Sequence, residues 1–324
     1  EFSHALVRQT LLDALSAPRK QRLHLALADA MEAAHGDDSR YTADIARHLY
    51  DAGPLADASR TRGFLFKAGR KAFAAAAADE ALESFDKALL VDGGLEQEER
   101  AQIVYHRATA FRGLNRWDDA AEGWQEALPV FEHLGDRDTV ARICWDLAYW
   151  HTWANRMKEA EELCKRGLAA VGEKPSVAHC QLLAALAMCA GERTSYQTWE
   201  FHIEQAITMA EQLREERLLG GYILTGKQYL GEHWLKAGLH AETADRAIAL
   251  TRRLGTPFEL STVLGASLLG YMANGRFDDV ERIFPEAYAL AREHGDFGTE
   301  MHAQLAWGMV ECFRGEVCEG RARI

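Results

Sequence analysis

Small and large apolar residues recur along the chain with helical spacing. In each copy a small residue is followed by a large one four positions later, and by another small one three positions after that. The clearest sets are Ala81/Phe85/Ala88, Ala120/Trp124/Ala127, Ala160/Cys164/Gly167 and Val280/Phe284/Ala287. Offsets of four and three place all three side chains on one face of an α-helix. The small residues let a neighbouring helix approach closely, and the large residue fills the space between the helices.

The last small position of the pattern returns at a nearly constant interval. It falls at Ala88, Ala127, Gly167, Ala206, Ala247 and Ala287, with steps of 39, 40, 39, 41 and 40 residues. A fixed period of this size is typical of a solenoid, in which each repeat packs against its neighbours. A second helical pattern precedes each copy. The sequence therefore predicts seven helix pairs, the last one incomplete, at residues 60–93, 101–133, 139–171, 178–212, 219–253, 259–293 and 298–324.

The two alternating helical patterns resemble the tetratricopeptide repeat. In that repeat the first helix carries Leu-Gly and an aromatic residue, as at Leu230-Gly231 and Trp234, and the second carries Ala, an aromatic residue and Ala. The period here is longer than the roughly 34 residues of that repeat. The resemblance covers about residues 60–324 and implies an all-α fold, a right-handed α-α superhelix of tandem tetratricopeptide-like helix pairs.

The first part of the chain departs from the repeat pattern. Residues 1–58 are predicted to form an N-terminal helical segment, the end of a helical or winged-helix module plus a cap, and residues 59–324 the superhelix. The segment 2–8 matches a Phe-x-His-Ala-Leu-(Val/Ile)-Arg sequence that commonly precedes the repeats in signal-transducing ATPases. The chain is thus similar to the sensor domains of these large bacterial regulators, such as the maltose-regulon activator and LuxR-type ATPase regulators. Because the sequence ends within a repeat, we expect it to be a piece of a longer chain.

Composition excludes several classes of function. The net charge of −12, from 37 basic and 49 acidic residues, argues against a broad nucleic-acid surface. The longest apolar run, 72–78, is too short to cross a bilayer, and no signal peptide precedes it. The 6 cysteines form neither a CxxC pair nor a zinc spacing, which predicts reduced, buried thiols and a cytoplasmic location.

The motifs of common catalytic sites are missing. The sequence has no GxxxxGK[ST], GxSxG or HExxH motif, and its 13 histidines are scattered. The acidic pairs Asp118-Asp119 and Asp278-Asp279 could serve acid–base chemistry, but they are better explained as charges that open a helix, where the dipole favours them. A non-catalytic chain without cofactor or metal is therefore predicted.

Aromatic and arginine side chains are predicted to line the concave groove. By the resemblance, two positions of each first helix point into it; these hold Phe66, Tyr105 and Trp145 in one column, and Arg70, Thr109 and Tyr149 in the other. Trp145, Tyr149 and Trp153 form a stripe with four-residue spacing, with Arg112 and Arg142 nearby. The stripe could pack against the second helix or the next repeat, or it could accept a ligand or peptide. Phe66 and Tyr105 stand where related clamps for chaperone C-terminal carboxylates carry polar residues, which disfavours that partner.

The predicted function is a sensor or scaffold domain of a larger cytoplasmic regulator. It would bind a peptide, a protein or a small-molecule inducer in the groove and would contact other domains of its parent chain. By the resemblance, the parent would carry an ATPase module upstream and an output domain, such as a DNA-binding helix-turn-helix, downstream. Two alternatives stay open: a pure protein–protein interaction scaffold, and the regulatory region of a nucleotide cyclase whose catalytic domain lies elsewhere. No nucleic-acid or membrane contact is expected of these residues.

Overall fold

Helices make up all of the regular structure in the described part of the chain. The computed structural model describes residues 15–35, 38–193, 196–233 and 239–323, without the side chains of residues 153, 191–193, 229–233 and 239–241. No strand occurs in these ranges. The chain divides into two compact units, Glu1–Asp136 and Arg137–Ile324.

Each unit is a series of consecutive helices. The first contains α1 (Ala17–His35), α2 (Thr42–Ala52), α3 (Ala58–Ala74), α4 (Ala78–Leu90), α5 (Gln97–Gly113) and α6 (Trp117–Leu134), with 3-10 turns at Ser39–Tyr41 and Gly53–Leu55. The second contains α7 (Arg137–Trp153), α8 (Met157–Val171), α9 (Val177–Arg193), α10 (Tyr196–Leu213), α11 (Glu216–Leu218), a π-helix (Leu219–Ile223), α12 (Leu224–His233), α13 (Leu239–Leu254), α14 (Pro257–Ala273), α15 (Phe277–His294), α16 (Phe297–Phe313) and α17 (Val317–Arg323). Consecutive helices pack together in pairs. The predicted class of tandem tetratricopeptide-like helix pairs is confirmed.

The recurring small and large residues form the contacts within and between the pairs. The sets beginning at Ala81, Ala120 and Ala160 are buried throughout, and so are the small residues of the looser copies. The set beginning at Val280 differs, because Ile283 is buried while Phe284 is only half-buried. The ring of Phe284 instead stacks on Trp307 of α16, with centroids 4.8 Å apart. In this pair the large residue therefore packs toward the following helix.

Close approach explains the glycine that stands at the last small position of α8. A Cβ atom added to Gly167 would lie 2.9 Å from the Cβ of Cys144 on α7 and 2.8 Å from both methyl carbons of Leu182 on α9. Contacts this short do not occur between real carbon atoms without a shift of one partner. The hydrogen side chain of Gly167 is thus what lets α8 contact both first helices.

A repeated turn joins the two helices of most pairs. Its central residue has a positive φ in each case: 61° at Ala76, 58° at Asn115, 56° at Asn155, 68° at Gly275 and 94° at Gly315. The next backbone N–H reaches back five residues, as from Arg116 to the carbonyl of Phe111 at 2.9 Å. Such left-handed closures satisfy the last carbonyls of the first helix and fix the angle at which the second begins.

One first helix contains an irregular turn. The step from Ala206 to Ala247 is the longest in the series, 41 residues, and it spans the π-helix Leu219–Ile223. The hydroxyl of Thr225 donates to the carbonyl of Gly220, five residues earlier, at 3.1 Å. A π turn inserts one residue into a helix, and the helical segments on either side keep the same faces toward their neighbours. The extra residue of this repeat is thereby accommodated without a loop.

The N-terminal helices α1 and α2 pack onto the first repeat. Arg60 of α3 pairs with Asp29 of α1 at 2.7 Å, and its Nε donates to Glu32 at 2.9 Å. Ala28 of α1 and Leu49 of α2 belong to the same buried cluster as residues of α3 and α4. The boundary between residues 58 and 59 stays a prediction, and the predicted helix 2–14 lies outside the described residues.

Candidate functional site

Two of the predicted aromatic residues form a pair on the second unit. Trp145 and Tyr149 lie one turn apart on α7, with ring centroids 5.9 Å apart and planes tilted by 36°. Both side chains are half-buried. Trp145 also packs against a buried cluster that includes Ala148, Cys164 and Cys189. Part of the pair is therefore core, as one interpretation expected, and part remains at the surface.

A third aromatic residue, Tyr222 of the π-helix, completes the cluster. Its ring meets Trp145 edge to face at a centroid distance of 5.7 Å, and it lies 6.2 Å from the ring of Tyr149. The indole Nε1–H of Trp145 donates to the Tyr222 hydroxyl oxygen at 3.2 Å. Trp145, Tyr149 and Tyr222 are called the aromatic seat below. Burial raises the pKa of Tyr222 well above its ordinary value, so the phenol stays neutral.

The sequence reasoning did not single out Tyr222. One signal for it was present, because the long step of 41 residues and the Gly220-Gly221 pair mark an irregular turn directly before this tyrosine. Its partners on α7 are 77 residues away. A local sequence pattern does not indicate a contact between residues so far apart in the chain.

Two further residues of the second unit, Arg142 and Trp153, were predicted to lie near this cluster. Arg142 is exposed, and its Nε donates to the backbone carbonyl of Asp138, on its own helix, at 3.3 Å. The side chain of Trp153 lies outside the described residues. The predicted stripe is therefore described at Trp145 and Tyr149 only.

A smaller ring cluster lies on the first unit. Phe66 of α3 and Tyr105 of α5 both contact the ring of His106, at centroid distances of 5.0 and 5.1 Å. The Arg70 guanidinium is exposed and lies 5.9 Å from the centre of the Phe66 ring. Three predicted residues of this unit are thus brought together, with His106, which sequence reasoning missed, between the two rings.

Arg112 lies against the helix-pair core instead. Its guanidinium is 5.9 Å from the ring centre of Trp124, which is fully buried on α6. The Arg112 side chain is itself half-buried. This contact stabilises the packing of α5 on α6 through a cation–π interaction.

Comparison with solved structures identifies the same kind of architecture. The apo form of RapI matches with a TM-score of 0.57 and 11% sequence identity, over 94% of this chain and 98% of RapI. Aspartyl phosphate phosphatase F from Bacillus subtilis matches with a TM-score of 0.50 and 14% identity, over 91% of this chain and 76% of the phosphatase. The fold is that of tetratricopeptide-like repeat proteins.

Other comparisons add little to this result. Nearly identical TPR-like repeats of kinesin light chain type from Podosopora anserina match with a TM-score of 0.36 and 13% identity, over 73% of this chain and 98% of that one. Comparison with known protein families finds no match, and comparison of the sequence with curated proteins finds none either. At these identities the structural likeness establishes the fold alone.

A groove that shares no lining residue with the seat lies at α9 and α10. This groove has a volume of about 750 Å³ and is lined by Glu173, His179, Leu183, Phe201, Glu204 and Met209, among others. Phe201 is 60% exposed. We call this region the α9–α10 groove; it is a rival location for a partner and supplies a control for the aromatic seat.

The described part of the chain shows neither a metal-binding cluster nor a membrane-spanning helix. In the ranges described above, no group of three or more His, Cys, Asp or Glu side chains is arranged to hold a metal ion. Among the same helices, none has the length and apolar character needed to cross a bilayer.

The thiols follow the sequence prediction in part. Cys144, Cys164, Cys180 and Cys189 are buried, Cys312 is half-buried and Cys318 is exposed, all of them free. Burial raises the pKa of Cys180 to about 11. A hydrogen bond with Cys189, together with burial, raises the pKa of Cys164 well above its usual value. These thiols stay protonated and unreactive near neutral pH.

Proposed function

We propose that this chain is a non-catalytic domain that binds a peptide or protein segment at the aromatic seat. The single observation that carries the proposal is the half-buried pair of Trp145 and Tyr149 on a first helix. Large aromatic side chains that keep surface exposure next to a buried cluster are typical of binding hot spots. They offer apolar area and a polar N–H while losing little conformational entropy on binding.

A protein partner is favoured over a nucleic acid by charge. The net charge of −12 repels phosphates and attracts basic segments. A small-molecule inducer remains the second candidate. The pair offers such a molecule a ring surface, although small ligands usually occupy deep enclosed cavities.

The parent protein is the second part of the proposal. A regulator with a signal-transducing ATPase module upstream and an output domain downstream is supported by the sequence resemblance of the repeats and of residues 2–8. In such a regulator, binding at the seat would change activity only if the partner prefers one state of the parent. A phosphate-loop motif in the full-length gene would support this context, and a cyclase domain would support the alternative parent. A gene that encodes neither would leave the scaffold role.

Peptide selection tests the binding site. A random 12-residue display library is panned on the immobilised chain, and the recovered peptides are measured by fluorescence polarisation against wild type, Trp145→Ala and Phe201→Ala. We expect Trp145→Ala to weaken binding about 30-fold, the roughly 2 kcal/mol of a hot-spot aromatic residue, and Phe201→Ala to bind like wild type. Circular dichroism verifies that both variants fold.

Two results would oppose the proposal. Peptides that bind Trp145→Ala as tightly as wild type would remove the seat from the binding surface. Peptides that lose affinity in Phe201→Ala instead would move the partner to the α9–α10 groove.

A further inference from the structure

The aromatic seat is built from two distant parts of the second unit. Trp145 belongs to the first helix of one pair, and Tyr222 belongs to the first helix two pairs later. The first helix of the pair between them, α9, packs against both α7 and the π-helix. The Trp145–Tyr222 contact is thus a strap across three consecutive first helices.

The contacts around Tyr222 are those that an incoming aromatic side chain would need. Trp145 presents its ring edge-on to Tyr222 and donates its N–H to the hydroxyl oxygen. Tyr149 supplies a second ring 6.2 Å away. Edge-to-face ring contacts are favourable for any aromatic side chain, and a buried tyrosine hydroxyl also needs a hydrogen-bond partner.

Two glycines precede Tyr222, and their surroundings differ. A Cβ atom added to Gly220 would lie 2.6 Å from the Cβ of Leu250, so this residue is fixed against α13. The same atom on Gly221 would have no heavy atom within 4 Å. The residue immediately before Tyr222 therefore has both open space and the conformational freedom of glycine.

Buried residues anchor both ends of this turn. Leu219 and Ile223 are 2% and 0% exposed, whereas Tyr222 between them is half-buried. A π turn is less favourable than an α turn and recurs at functional sites. The flanking residues thus hold this turn in the core, while Tyr222 keeps part of its surface exposed.

We propose that Tyr222 occupies the place on Trp145 and Tyr149 that a partner uses, and that a peptide binds by placing an aromatic side chain there while Tyr222 turns out. This inference rests on the proposed function and names its ligand class, a peptide with a tyrosine or phenylalanine anchor. The apparent affinity for a peptide is then the intrinsic affinity multiplied by the fraction of chains in which Tyr222 has turned out. Weakening the strap must then tighten binding.

The test compares two removals of a tyrosine hydroxyl. Tyr222→Phe keeps the ring and deletes the oxygen that accepts from Trp145, so no cavity is created. Tyr271→Phe is the matched control, because Tyr271 is fully buried and its hydroxyl donates to Asp245 at 2.5 Å instead of to a residue of the seat. Peptides recovered on wild type are titrated against both variants. We expect Tyr222→Phe to lower Kd about fivefold, the factor that one neutral hydrogen bond is worth, and Tyr271→Phe to leave Kd unchanged.

Each outcome decides the proposal. A gain of peptide affinity in Tyr222→Phe that disappears when the peptide's aromatic residue is changed to leucine supports the proposal. If the Kd of Tyr222→Phe is equal to or higher than that of wild type, and binding is still lost in Trp145→Ala, the strap is overturned but the proposed function stands.

If no wild-type peptide depends on Trp145, the selection is repeated on Tyr222→Ala. Aromatic peptides that bind Tyr222→Ala and not the Trp145→Ala/Tyr222→Ala double variant would show that the strap blocks the site fully, in support of the inference. Absence of such peptides from both selections overturns the inference and the proposed function together.

Discussion

Two glycine-to-alanine substitutions in the second unit are expected to change stability in opposite directions. Gly167 on α8 and Gly226 on α12 are both buried in helices. In an unobstructed helix interior, alanine stabilises by about 0.5–1 kcal/mol over glycine, because it restricts the unfolded chain. Without steric conflict, both substitutions should therefore stabilise the protein.

The surroundings of the two positions differ. At Gly226 the nearest atom to an added Cβ is the sulfur of Met188 at 3.7 Å, an ordinary contact. At Gly167 the added atom meets the Cβ of Cys144 at 2.9 Å, and a Cβ cannot move without its helix. Overpacking of this kind costs about 1–3 kcal/mol. We expect Gly226→Ala to raise the free energy of unfolding by about 0.5–1 kcal/mol and Gly167→Ala to lower it by about 1 kcal/mol.

Urea unfolding followed by far-UV circular dichroism measures both effects. The two variants should lie on opposite sides of wild type in midpoint, with unchanged slopes. A Gly167→Ala variant as stable as wild type, or more stable, would refute the argument that small residues set the distance between these helices. Gly226→Ala would then only report helix propensity.

Three further predictions concern the core, the histidines and the thiols. Replacing the fully buried Trp124 by Ala should lower the free energy of unfolding by about 3–5 kcal/mol in urea titrations, whereas the partly exposed Trp117→Ala should cost much less. Burial lowers the pKa of four histidines, so the folded chain binds fewer protons than the unfolded chain near and below pH 6.5. The stability of the protein should therefore fall as the pH drops below about 6.5. Tm measured from pH 8 to 5 tests this prediction, and a Tm that does not change with pH would contradict it. The four are His48, His151, His202 and His302. Ellman's reagent should modify Cys318 first in the native protein, and Cys318→Ser should abolish the fast phase; rapid reaction of the buried thiols would count against the described packing.

Most of the fold could be predicted because its determinants are local. The spacing of Ala120, Trp124 and Ala127 is sufficient to define a helix face, and the same three residues are buried in the structure. The acidic pair Asp118-Asp119 does lie in the first turn of α6, where the dipole argument put it. Repetition of such local signals supplied the pairing and the order of the helices.

The site was harder to predict because its contacts are not local. The four-residue spacing predicts that Trp145 and Tyr149 lie near each other on α7, as their rings do, but it does not predict the partner that contacts both. Tyr222 is carried there by one inserted residue, whose effect depends on how three pairs pack. The long side chain of Arg112, which was predicted for the groove, lies against Trp124, and its position along the helix alone does not reveal this contact.

Hydrogen–deuterium exchange with and without a selected peptide tests the central claim most directly. The account predicts that the peptide protects backbone amides of α7 around Trp145, and that it speeds exchange in Leu219–Ile223 as Tyr222 turns out. Protection confined to α9 and α10 near Phe201, with no change in Leu219–Ile223, would contradict it.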